Sequence, residues 1–250
     1  MNYEGYTESF MDNFGDLRNT CREVVVGNVQ YLIFTFQFGV SKSIVDWASQ
    51  IIEAHPFHNV IITMHAYMYN DGTRQDANDY YPDSYIGENL WNDFVSQHEN
   101  ITMVLSGHID NEVLTYRQDK GVNGNVVTQM LIDPQGIDAD VSHSGMVAMF
   151  YFSEDGKNVQ VEWYSTFQEQ LYGYANRFEL EVNSIIDPDF NPNAGKDEPT
   201  DSSSSNNTPS ASSSEQSGSP LAGCMGFVGA EGLISIAIVI CAIAKSKKEN

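Results

Sequence analysis

Two apolar runs, VIITM (60–64) and ITMVLS (101–106), constrain this chain more than anything else in it. Neither alternates with polar residues. Each therefore reads as a strand buried on both faces, and such strands belong to parallel sheets with helices packed against them. The neighbouring segments supply the helices. SKSIVDWASQIIEAH (41–55) places Ile44, Val45, Ala48, Ile51 and Ile52 on one face, with Ser41 positioned to cap it. IGENLWNDFVSQH (86–98) predicts a second helix that turns Leu90, Phe94 and Val95 inward. Upstream, EVVVGNVQYLIFTFQF (23–38) reads as two strands joined at Gly27-Asn28, a dipeptide suited to a tight hairpin turn.

Downstream the pattern shortens. EVLTYRQ, NVVTQMLI, MVAMFYF and VQVEWYST, separated by DKGVNGN and EDGK turns, read as a run of antiparallel strands. The whole predicts a mixed α/β layered domain over residues 1–186. The hydrophobic content of 41% is enough to give it a core, to which Trp47, Trp91 and Trp163 are assigned.

The rest of the chain changes character twice. Residues 187–222 are rich in Ser, Asn and Pro and cannot bury enough apolar surface to offset chain entropy, so a disordered linker is expected. Residues 223–250 then predict a transmembrane helix with a basic tail. The stretch 224–244 carries a single charge, Glu231, and is long enough at about 1.5 Å per residue to cross a bilayer. Lys245, Lys247 and Lys248 set that end inside, which makes the globular part extracellular, at the cell surface. The opening MNYEGYTESF has neither the basic nor the apolar region of a signal peptide. An anchor without an export signal leads to the expectation that further sequence precedes Met1. The net charge of −22 argues against nucleic acid as a partner, because phosphate binding relies on Lys and Arg. Cys21, Cys224 and Cys241 form neither a disulfide framework nor a CxxC ligand pair.

Both constraining runs end on histidine. His65 closes VIITMH, and His108 follows VLSG. Ligands of parallel sheets collect at the carboxyl ends of strands, so neighbouring strands would aim both imidazoles into one crevice. Neutral imidazole is a common transition-metal ligand. Asp110 stands two residues beyond His108, and in an extended segment residues i and i+2 share a side, which makes it a third candidate ligand. Other features promise less. The acidic loop 69–85 lacks EF-hand spacing. His55, His58 and His98 flank helix ends, where the dipole explains them. His143 reads as a surface residue, and Cys21 has no basic neighbourhood to activate it.

NVIITMHAYM, then GENLWNDFVSQHENITMVLSGHID, then the β-rich remainder resemble the C-terminal half of the calcineurin-like metallophosphoesterases, over residues 20–170. The resemblance implies a four-layer α/β/β/α sandwich. It also implies two divalent metal ions (Mn, Fe or Zn) and hydrolysis of phosphate mono- or diesters. The family signatures run DxH, GDxxD, GNH[DE], a His after a buried strand, then GHxH. His65 matches the fourth, and Gly107-His108 opens the fifth. Asp110 stands where GHxH has its last His, and a carboxylate still offers oxygen to a hard cation. In the family, the loop after the fourth signature borders the active site, which implies substrate contacts for Asn70, Asp71 and Arg74. A guanidinium suits a phosphate. The first three signatures are absent; FGDLRN (14–19) contains Gly15-Asp16 but ends in Asn19 and follows no buried strand. Three ligands cannot hold two ions. The chain alone is therefore expected to be inactive, with no catalytic residue assigned. It is read as part of a surface-anchored phosphoesterase, with a non-catalytic binding remnant or one half of a split enzyme as the alternatives.

Overall fold

The computed structural model describes residues 8–10, 18–134, 145–192 and 238–242. The hairpin forms where its turn dipeptide sits: β2 (Asn19–Val26) pairs antiparallel with β3 (Val29–Phe36), and Val26 faces Val29 across Gly27-Asn28. Gly27 adopts φ +59, and a Cβ there would lie 2.9 Å from the Glu154 carbonyl oxygen, so the turn needs glycine for both reasons. A short strand β1 (Glu8–Phe10) extends the hairpin on its outer side.

From β3 the chain enters helix α1 (Lys42–Ala54), whose buried residues are the five on the apolar face: Ile44, Val45, Ala48, Ile51 and Ile52. Ser41 occupies the N-cap position, but its hydroxyl pairs with that of Ser43 at 2.9 Å and caps nothing. The chain returns as β4 (Asn59–Ala66), parallel to β3. Next comes helix α2 (Gly87–Asp93), shorter than the expected 86–98. Its continuation breaks at Phe94 into a single 3₁₀ turn, Val95–Gln97. There the Gln97 side-chain amide donates to the Asn92 carbonyl at 2.7 Å, competing with the helical ladder. β5 (Ile101–Gly107) is buried at every residue and lies parallel to β4.

β6 (Thr115–Lys120) and β7 (Val126–Leu131) form a hairpin, and β7 inserts parallel to β5. The sequence pattern read these as part of an antiparallel run. The fold instead gives a seven-stranded mixed sheet in the order β1-β2-β3-β4-β5-β7-β6. A second sheet is built on β8 (Met146–Phe152) and β9 (Asn158–Ser165), with β10 (Gln170–Leu171) and β11 (Arg177–Glu181) both paired to β9.

Strand alternation divides the core. Leu32, Phe34, Val60 and Ile62 face the helices, together with Leu90 and Phe94. Tyr31, Ile61, Met103 and Leu105 face the second sheet, meeting Phe150, Phe152, Val161 and Trp163. The described residues therefore make three layers, α/β/β. The helical layer expected on the far side of the second sheet has no member among them.

Asn59 ties the end of the domain to the start of β4. Its side chain donates to the Ile185 carbonyl at 2.8 Å and accepts from the Ile185 amide at 2.7 Å. Of the linker expected over 187–222, residues 193–222 lie outside the described residues. Of the anchor expected over 223–250, five residues are described. They form β12 (Ile238–Ala242), extended and parallel to β8, a conformation that suits the β-branched Ile238, Val239 and Ile240. No helix among the described residues is long and apolar enough to cross a membrane.

Candidate functional site

β3, β4, β5 and β7 are mutually parallel in that order, so their carboxyl ends form one rim. His65 and His108 meet there, as the two apolar runs predict. His65 Nε2 and His108 Nδ1 are 2.9 Å apart, one carrying the proton and the other the lone pair.

Both histidines sit on irregular backbone. Met64 pairs with Ser106 and Ala66 with Gly107, so His65 is the extra residue of a β-bulge. Bulges re-aim side chains and recur beside functional sites. His108 adopts φ +78, a left-handed conformation that costs a residue with a Cβ about 1–2 kcal/mol. Such strain is sustained where surrounding contacts fix it. Those contacts are aromatic. Phe38, from the loop after β3, packs 5.1 Å from His65 and 5.4 Å from His108. Tyr80 packs edge-on to His108 at 5.1 Å and to Phe38 at 5.4 Å. Burial, followed by the neighbouring His108, holds the His65 imidazole below its usual pKa. His65 therefore favours a neutral, electron-donating ring.

Two nitrogens bound about 2.1 Å from one ion at 90–110° lie roughly 3.0–3.4 Å apart, so this pair fits two adjacent positions on a cation. The set goes no further, since no three His, Cys, Asp or Glu residues among the described ones are grouped to hold a metal. Asp110 is exposed. The alternation that would carry it alongside His108 stops at Gly107, where β5 ends and the backbone turns left-handed. The donor chemistry suits a metal, but the donor number is short of a closed site.

The other sequence candidates have different occupations. Asp71 accepts from the Thr73 amide at 2.9 Å and from its hydroxyl at 2.6 Å, closing a tight turn at Gly72. Those bonds hold its carboxyl below the usual range. Asn70 is exposed, and its carbonyl accepts from the Thr115 hydroxyl at 3.3 Å. Arg74 is not available to a phosphate. Its side chain is 6% exposed, and Nε donates to Gln129 Oε1 at 2.7 Å. Nη2 meets Asp119 Oδ2 at 2.5 Å, Nη1 meets Glu88 Oε2 at 3.1 Å, and the guanidinium lies 3.9 Å over the Trp91 ring.

This clamp extends further. Arg117 Nε and Nη2 bind the two oxygens of Asp119 at 2.6 and 3.0 Å. The Gln129 amide donates to Asp119 at 2.9 Å, and the Tyr67 hydroxyl donates to Gln129 Oε1 at 3.0 Å. Burial would raise the Asp119 pKa. The bonds from Arg117 and Gln129 and the charges of both arginines outweigh it and hold the carboxyl below its usual range. Sequence reasoning missed the clamp, because its members lie 45 and 55 residues apart in the chain and no local pattern joins them. His55, His58 and His98 make ordinary contacts: the Ile51 carbonyl, Glu23 and the Ser49 hydroxyl, respectively. His143 and residues 14–17 of FGDLRN lie outside the described residues.

No family model matches the chain. It is similar to the uncharacterized protein YvnB of Bacillus subtilis (strain 168), with 26% identity over 164 residues, covering 61% of this chain and 12% of that protein. The chain thus corresponds to a small part of a much longer relative.

Proposed function

We propose that this chain contributes the C-terminal portion of a metal-dependent phosphoesterase, with His65 and His108 supplying two nitrogens of its metal centre. The observation that carries this reading is the convergence of the two imidazoles, 2.9 Å apart, at the carboxyl ends of adjacent parallel strands. The bulge at His65 and the left-handed backbone at His108 support it, because neither is needed to end a strand. In such enzymes the bound cations activate water and neutralise phosphoryl oxygens. The role of this chain's own residues is to hold two imidazole nitrogens in place and to keep aromatic rings packed against them.

The remaining ligands, and a fourth layer completing an α/β/β/α sandwich, belong in this proposal to residues other than those described. By itself the chain is expected to hydrolyse phosphate esters only at background rate. The apolar segment near the C-terminus would serve as a membrane anchor, placing the domain outside the cell. The competing reading is a non-catalytic binding domain in which the histidines merely bond each other. The lack of a third ligand among the described residues favours it.

Metal titration of the full chain with Mn²⁺ and with Zn²⁺ separates the two readings. A single weak ion per chain, lost in both His65→Ala and His108→Ala, supports the phosphoesterase portion. No binding, or binding that survives the double substitution, sinks it.

A further inference from the structure

The segment between β4 and α2 makes an excursion that starts at the histidine rim and ends against it. Tyr67 follows His65 by two residues, and its carbonyl accepts from the Gln75 amide at 2.9 Å, while Met68 bridges Arg74. Past Gln75 the chain is turned by Asp76, whose side chain accepts from the Asn78 amide at 2.9 Å, and arrives at Tyr80. Tyr80 is the ring packed on His108. Arg74 makes the most side-chain contacts from this excursion to the elements on its far side, alongside the Tyr67 hydroxyl and the Asn70 and Gly72 carbonyls, which also reach β6 and β7. Arg74 is bonded to β6 through Asp119, to β7 through Gln129 and to α2 through Glu88 and Trp91. Tyr67 donates to the same Gln129 oxygen that Arg74 binds, so the start of the excursion is fixed by the same acceptor.

We infer that Arg74 is the positioning residue of the histidine rim, holding the 67–80 excursion so that Tyr80 and Phe38 keep His108 in its left-handed conformation facing His65. This rests on the reading of the pair as metal ligands, and it gives that reading its supporting shell. The planar fork is what the role requires. Four partners in different directions can be met by a guanidinium, whereas an ammonium is a point charge on a flexible stem. Asp119 is set in turn by Arg117, whose Nη1 donates to the Gly72 carbonyl at 2.9 Å and so holds the tip of the same excursion.

The test is nitrogen NMR of the full chain labelled with ¹⁵N-histidine, in the wild type and in Arg74→Ala, Arg74→Lys, Asp119→Asn and Val161→Ala. Val161→Ala opens a cavity in the core between the two sheets and controls for general loosening. The wild type should show the His65–His108 shared proton as a long-lived signal with fixed tautomers. Arg74→Ala should abolish it, and Arg74→Lys and Asp119→Asn should weaken it. Val161→Ala should leave it in place. Where metal binds the wild type, the Arg74 variants should weaken it about 10–100-fold, as loss of ligand-orienting groups does. Should Arg74→Ala fail to fold, Arg74→Lys and Asp119→Asn decide. The inference is overturned if the folded clamp variants keep the wild-type imidazole signals, or if Val161→Ala disturbs them equally. Because these signals need no metal, they fail independently of the metal titration.

Discussion

The histidine rim and the arginine clamp both draw on residues 65–88, yet they are opposite kinds of polar cluster. In the clamp, every nitrogen of Arg74 that reaches a partner meets an oxygen, and Asp119 receives bonds from three side chains. Charge is buried only because it is fully answered. At the rim, two imidazoles meet nitrogen to nitrogen on irregular backbone, with no carboxylate or guanidinium bonded to either. The clamp commits all three Arg74 nitrogens to protein oxygens and acts as structure. The rim gives up stability to hold its imidazoles in place. An arginine next to a candidate metal site is thus not automatically a phosphate ligand, and its hydrogen-bond partners decide.

If this contrast holds, the clamp side should be brittle and the rim side tolerant. The largest loss is expected from Gly87→Ala. Gly87 has φ +50, and a Cβ there would lie 2.1 Å from the Gln75 carbonyl oxygen, beside the clamp. Backbone strain and overpacking together should cost about 4 kcal/mol in urea unfolding. Arg74→Ala should cost about 3 kcal/mol, the low end for breaking a buried pair, because Asp119 keeps 27% of its side-chain exposure.

Asp119→Asn should lose less, and its mark is on pH. The folded pKa of Asp119 lies below its unfolded value, so its contribution is present above the ordinary carboxylate range. It is lost as pH falls through the folded pKa, where the unfolded chain binds the extra proton. Wild-type stability should therefore drop from about pH 5 downward, with a shallower drop in Asp119→Asn. The smallest change is expected from His108→Asn. Asparagine tolerates the left-handed region, so stability should move by less than about 1 kcal/mol while the shared proton with His65 disappears. A loss at His108→Asn as large as that at Arg74→Ala would erase the distinction between the two clusters.

Much of this was legible because it is local. Continuous apolar runs at 60–64 and 101–106 announce doubly buried strands, and the five-residue apolar face of 41–55 announces its helix; all three form. The His65–His108 encounter follows from those strands being parallel neighbours. Asp110 shows where local reasoning ends. Counting by twos assumes the strand continues, but the strand stops at Gly107 and the backbone reverses hand at His108. Arg74 shows the same from the other side. Its neighbours in sequence form a polar loop, which suggests solvent and substrate, while its neighbours in space are Asp119, Gln129 and Trp91.

The sequence alone determined that 60–64 and 101–106 become strands and that 41–55 becomes a helix, because burial on one or two faces imposes a period that neighbouring residues carry. It also determined that two imidazoles would stand at strand ends. Only the tertiary structure decided that β7 enters parallel beside β5, that a bulge and a left-handed residue aim the histidines at each other, and that Arg74 is spent on the scaffold. Those outcomes depend on contacts between residues far apart in the chain, whose energies are settled only when the layers close on one another.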